Sequence, residues 1–146
     1  MRSAPYHGHR GAVIRAIRTQ SMSELLYKDL SYGLVGCCPK VQNTLGSGHK
    51  ESVYQKSLAI ELTKANIKFE EQKTLNILYD KKKVGVYRPD FIIENKIVVE
   101  LKAVEFIPKD YERQLIYYLK GTDYKLGYLI NFGAPSLYAK RIIWTN

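Results

Sequence analysis

The sequence is short of anything that would staple or anchor it. Among 146 residues the only cysteines are the neighbours Cys37 and Cys38. Adjacent residues cannot form an ordinary structural disulfide, and two ligands are too few for a zinc or iron-sulfur site within one chain. Beside Leu34 and Val35 they read as helix-packing residues in a reducing compartment. No run of about 18 or more apolar residues occurs, which excludes a helical membrane span. Gly-rich phosphate loops, zinc-ligand spacings, nucleophile elbows and internal repeats are also absent. Acidic residues are missing from positions 1–21, which hold four arginines with scattered Gly, Pro and His. That segment reads as a poorly ordered leader or an upstream extension before Met22, or as a transit-like peptide. Removing its arginines lowers the formal charge from +9 to +5.

What remains, residues 22–146, is the length of one domain that can bury a real core without staples. Its basic excess favours a polyanionic partner such as nucleic acid, although plain solubility produces the same sign. From Ser23 a helical spacing runs through Leu26, Leu30, Leu34, Val41 and Leu45, with Pro39 as a kink or an irregular start to the second half, and Gly46-Ser47-Gly48 closes it. A second helix is expected from about His49 to Asn66, with Tyr54, Leu58, Leu62 and Ala65 on one stripe and Glu51 toward the packed side in its first turn. A glutamate there also suits the helix dipole, with no further role required. His49 reads as a solvent-facing or hydrogen-bonding residue.

Strands are expected over 67–72 and 75–79, with Asp80-Lys81-Lys82-Lys83 as a charged turn whose lysines could touch phosphate backbone, although most such runs are solvated loop tips. Two more, Tyr87 to Ile93 and Ile97 to Ala103, flank Glu94-Asn95-Lys96. A three-residue loop pairs Ile93 with Ile97 and sets Asp90 opposite Glu100, whereas a two-residue loop would put them on opposite faces. Ile97, Val99, Leu101 and Ala103 then share a core face, while Val98, Glu100 and Lys102 share the other. Paired carboxylates repel unless a cation lies between them or one is protonated. Their hard oxygens suit magnesium or manganese, and with Lys102 the set suits binding a phosphate, activating water and neutralising developing charge. The plainer alternative is an exposed hairpin whose charges are only solvated. Pro108 opens a helix from Lys109 to Lys120, placing Gln114 and Tyr118 on one face, able to position phosphate or water or simply to pack. Strands at 125–132 and 137–144 follow, the last with Lys140-Arg141 at its centre.

A glutamate on a helix, Asp90, Glu100-Leu101-Lys102 and Gln114-x-x-x-Tyr118 thus occur in order. This order resembles the PD-(D/E)xK nuclease superfamily in its Q-x-x-x-Y branch. The segments from Gly48 to Tyr54, Glu61 to Gln72, Arg88 to Phe91, Val99 to Glu105 and Gly127 to Gly133 resemble the GxxExxY protein family, nearly the whole chain being covered. His49-Lys50 and Gly36 to Pro39 depart from that pattern.

The resemblance implies an α/β, restriction-endonuclease-like core of order αβββαβ, a mixed central sheet flanked by helices with an extra N-terminal helix. It implies Mg2+ or Mn2+ held by Asp90, Glu100 and the main-chain carbonyl of Leu101, with Glu51 as a further ligand or orienter. Lys102 would orient or activate water, and Gln114 and Tyr118 would position phosphate. The implied function is metal-dependent hydrolysis of nucleic acid, DNA before RNA, by a cytoplasmic prokaryotic protein without a membrane partner and with a homodimer as one option. The alternatives are a non-catalytic nucleic-acid-binding or assembly module on the same fold, and a protein-interaction component whose hairpin acids are structural.

Overall fold

The computed structural model describes residues 26–145, so the expected leader over 1–21 and the helix start at Ser23 lie outside the described residues. Among the described residues two short helices come first, α1 (Lys28–Gly36) and α2 (Cys38–Leu45). Of the two readings of Pro39 the second holds: a new helix starts there, the joint lying at Cys37, which keeps right-handed helical angles. Pro39 itself sits in the first turn of α2, where a missing N–H removes no intrahelical bond. Buried Cys38 packs as the sequence implied, and burial raises its thiol pKa. Gly46 (φ 66°) and Gly48 (φ 108°) then adopt left-handed backbone that favours glycine and reverse the chain into α3 (Glu51–Lys64). Tyr54, Leu58 and Leu62 form the buried stripe of α3. Ala65, expected on that stripe, is exposed because the helix has already ended there.

The strands are β1 (Phe69–Glu71), β2 (Leu75–Tyr79), β3 (Lys82–Tyr87), β4 (Phe91–Ile93), β5 (Ile97–Lys102), β6 (Leu126–Asn131) and β7 (Tyr138–Ile143), with α4 (Lys109–Gly121) between β5 and β6. The main sheet runs β1-β4-β5-β6-β7, antiparallel except for the parallel pair β5/β6 that α4 bridges as a crossover. On one face α1 to α3 cover Phe91, Ile93, Val99, Leu101, Ile130 and Phe132; on the other α4 covers Val98 and Leu129 through Leu115 and Leu119. The two faces of β5 are those its alternation predicted. Arg141 ties β7 to the first helix, donating to Ser31 Oγ (3.0 Å), Tyr128 Oη (3.2 Å) and the Leu26 carbonyl (2.9 Å).

Two expectations are corrected. Tyr87 to Ile93 is not one strand: Arg88-Pro89-Asp90 divides it, because proline cannot donate to a ladder. The upstream part, β3, pairs with β2 as a separate two-stranded sheet inserted between core strands β1 and β4. Lys82 and Lys83 belong to β3, and the turn is only Asp80-Lys81, both left-handed (φ 53° and 64°). The architecture is therefore mixed α/β with a five-stranded sheet, flanking helices and an N-terminal helical pair, in keeping with a restriction-endonuclease-like fold. Among the described residues no helix is long and apolar enough to cross a membrane.

Candidate active site

The site forms where β4 stops and β5 continues. Ile93 pairs with Ile97 and Phe91 with Val99, the register a three-residue loop demands, and the Glu94-Asn95 turn meets it with two left-handed residues. Continued past the end of the ladder at Phe91, that register would set Asp90 opposite Glu100 and Pro89 opposite Leu101. Pro89 has no N–H to give the Leu101 carbonyl, and Asp90 Oδ2 accepts the Leu101 N–H at 2.7 Å. A strand residue's N–H and C=O leave by the same edge, so the Leu101 carbonyl points to the Asp90 side, while the Lys102 carbonyl on the other edge takes the Phe132 N–H (2.9 Å).

Asp90 is held from behind. Its backbone carbonyl accepts from Gln72 N (3.2 Å) and from Gln55 Nε2 (3.4 Å), and Gln55 also donates to Glu71. Gln55 lies one helical turn beyond Glu51, a spacing that could have marked it in the sequence. Just past Lys102, the buried Asn131 amide clamps the exit of β5: Oδ1 accepts from Val104 N and Gly133 N (both 3.0 Å), and Nδ2 donates to the Val104 carbonyl (2.8 Å).

Glu100 is mostly buried on the α4 side of the sheet. Burial and the neighbouring Asp90 push its carboxyl up to about 8 against the opposing pull of Tyr87 and Lys102. Tyr87 Oη donates to Glu100 Oε2. The Tyr87 ring stacks on Tyr118 with centroids 3.8 Å apart and planes within 8°. The tyrosine hydroxyl is itself held protonated, first by burial and then by the Glu100 charge. Lys102 lies over the Tyr111 ring, 4.5 Å from its centroid. A cleft of about 310 Å³ collects Arg88, Glu100, Lys102, Tyr111, Gln114 and Tyr118, with Tyr87 and Val86 in its wall.

The fold thus brings together Asp90, Glu100, Leu101, Lys102, Gln114 and Tyr118. Glu51 stands at the rim, exposed rather than turned into the packed interior. Partial burial raises its carboxyl pKa, Lys102 opposes this, and Asp90 adds to it, so Glu51 lies within electrostatic reach of the pair. Tyr54 fixes that helix start, donating to the Gly46 carbonyl (2.5 Å), accepting from His49 N (3.2 Å) and stacking on Phe132. Among the described residues no three His, Cys, Asp or Glu side chains cluster as a metal group. The set is two carboxylates and one carbonyl, with Glu51 outside it. Two neighbouring carboxyl groups beside a main-chain carbonyl form a hard-oxygen donor set, which fits a divalent cation of the magnesium or manganese type. Sequence reasoning missed Tyr87, Tyr111, Arg88 and Gln55 as parts of this site.

A model of the PD-(D/E)XK nuclease superfamily matches residues 28–142. Among curated proteins none gives a significant match. A solved structure described as the crystal structure of SSO0001 is 22% identical, with a TM-score of 0.47 over 90% of this chain and 63% of that one. The chain therefore spans less than two thirds of that protein's length. Nucleases of this superfamily typically use divalent metals and hydrolyse phosphodiester bonds. The superfamily match runs from the first helix through β7 and takes in both carboxylates, the lysine after Glu100-Leu101 and the helix that closes the cleft, and on it the chain belongs to the PD-(D/E)XK nuclease superfamily.

Proposed function

We propose that this protein is a metal-dependent phosphodiesterase acting on nucleic acid, DNA before RNA, in the GxxExxY branch. The observation that carries the reading is the Asp90 carboxylate fixed on the Leu101 N–H beside Glu100 and Lys102 at the cleft, where Pro89 offers no N–H to the Leu101 carbonyl. Asp90, Glu100 and the Leu101 carbonyl would hold Mg2+ or Mn2+. When bound, such a cation supplies Lewis acidity that offsets phosphate charge and makes water a better nucleophile.

The chain's own groups do the rest. Tyr87 fixes the Glu100 carboxyl with its hydroxyl and is itself braced by Tyr118. Lys102, held over Tyr111, presents a positive charge to the phosphate and orients the attacking water. Gln114 and Tyr118 line the cleft where an amide and a phenol can hydrogen-bond phosphate oxygens. Exposed Arg88 at the same cleft is suited to a flanking phosphate. Glu51 at the rim orients water or solvated cation from the opposite side.

The test is degradation of end-labelled and circular single-stranded DNA, duplex DNA and RNA with Mg2+ or Mn2+. Asp90→Asn is assayed beside the parent, since the amide oxygen can still accept the Leu101 N–H. Cleavage by the parent should fall about 100-fold or more in Asp90→Asn and in Lys102→Ala. Equal cleavage by parent and variants would expose a contaminant. Salt-sensitive binding without cleavage would transfer the fold to a non-catalytic binding or assembly role.

A further inference from the structure

The β2–β3 hairpin is the part of the molecule that the site does not explain. It is a sheet of its own, attached to the core along one face only. Leu75, Ile77 and Tyr87 pack against the α4 side, and a side chain at Gly121 would come within 2.8 Å of Ile77. Beyond Ile77 the register breaks: Ile77 pairs with Gly85 but Leu78 pairs with Lys83, so Val84 is extra. A bulge of this kind adds twist and re-aims the strands beyond it.

The re-aimed tip is both apolar and basic. Tyr79 is 75% exposed and Val84 63%, beside half-exposed Leu78 and Val86. Lys81, Lys82 and Lys83 are all exposed, and the register sets Lys82 across from Tyr79 and Lys83 across from Leu78. Exposed apolar residues on a two-stranded ribbon make a candidate contact surface. The three lysines beside them protect a free strand edge and also make a polyanion the partner that the charge favours.

Continuity with the cleft says more. The strand that begins at Lys82 ends at Tyr87, and Val86, Tyr87 and Arg88 line the cleft. At about 3.3 Å per residue the lysines stand roughly 17 Å from the carboxylates, about five base-pair steps of duplex. A two-stranded ribbon fits the major groove of B-form DNA, about 12 Å wide, whereas the deep, narrow groove of A-form RNA excludes it.

We propose that the β2–β3 hairpin is a DNA-engaging arm that enters the major groove of duplex DNA about half a helical turn from the cleft. Lys81, Lys82 and Lys83 grip phosphates at the groove walls, Tyr79 and Val84 lie against base edges, and the backbone beyond is delivered to the carboxylates. The delivery step rests on the phosphodiesterase reading, whereas the binding step does not.

The experiment is fluorescence anisotropy of the full chain in EDTA, which prevents metal-dependent cleavage and leaves lysine-phosphate attraction intact. Probes are one labelled sequence as duplex DNA, single-stranded DNA and duplex RNA. The parent is compared with Lys81→Gln/Lys82→Gln/Lys83→Gln and with a charge-matched control, Lys28→Gln/Lys56→Gln/Lys64→Gln, on α1 and α3. The arm variant should bind duplex DNA about tenfold or more weakly, with a slope of log affinity against log salt shallower by about 1 for each lysine lost. The control should lose less. Equal affinity of parent and arm variant, equal losses in arm and control variants, no detectable binding by the parent, or a preference for RNA duplex or single strands would each overturn the proposal. Cleavage assays separate the two readings: loss of duplex binding in the arm variant of a parent that never cuts would keep the arm and remove the nuclease.

Discussion

Glu100 is the residue whose charge the fold decides. Buried and set against Asp90, its carboxyl titrates near 8, far above the 4.5 of a free glutamate. The folded chain therefore binds a proton more tightly than the unfolded one. In the absence of metal this stabilises the fold fully below about pH 4.5, and the contribution is lost as pH rises through 8. Glu51, raised in the same direction, adds to the slope. Glu100→Gln keeps an acceptor for the Tyr87 hydroxyl and removes the titration. Its thermal midpoint in EDTA should fall less steeply than the parent's between pH 5 and 8, by on the order of a few °C. Parallel curves for the two proteins would show that Glu100 does not take up a proton in this range. The acid pair and Lys102 were legible in the sequence because strand alternation and a three-residue loop are local rules. Tyr87 was not, since its place depends on α4 docking Tyr118 against it from 31 positions away.

At the scale of elements, the strand ends do the positioning. Pro89 stops the ladder one residue short of Asp90, freeing both the aspartate side chain and the Leu101 carbonyl edge. The proline is plain in the sequence, yet the apolar run Phe91-Ile92-Ile93 outweighs the rule that proline demotes a strand, and the expectation merges two strands into one. The expected turn at Lys82 and Lys83 fails for a similar reason: charge suggests a loop, while pairing with Tyr79 and Leu78 makes them strand. At the other end of the site, β6 leaves the sheet at Gly133, directly against the backbone that follows Lys102. A Cβ there would sit 2.3 Å from Val104 N and 2.5 Å from the Ala103 carbonyl carbon, and neither can swing away as a side chain can. Gly133→Ala should therefore cost about 1–3 kcal/mol, read as a lower denaturation midpoint at unchanged slope. The displaced β5 exit should lower cleavage with it. A variant of parental stability would mean that the 103–104 backbone yields freely and that the Asn131 clamp does not set the position of Lys102.

Across the whole molecule the core and the site pull in opposite directions. Two apolar faces hold β5 between α3 and α4, and that burial forces Glu100 and Asp90 together at the one place where the sheet is incomplete. A divalent cation would relieve this tension in the folded state and find no such pair in the unfolded chain, so it should stabilise by mass action. At ten times its Kd, Mg2+ or Mn2+ would add about 1.4 kcal/mol, equivalent to a rise of several °C in Tm. Because the cation competes with the proton that Glu100 takes up, the rise should be larger at pH 8 than at pH 6. Calorimetry of the parent, Asp90→Asn and Glu100→Gln at both pH values checks this without reference to any substrate. The parent should gain stability with metal, more so at the higher pH, while both variants stay level. A gain of the same size in all three would place the cation elsewhere on the chain, and no gain in the parent at pH 8 would leave the carboxyl pair without a role in holding metal.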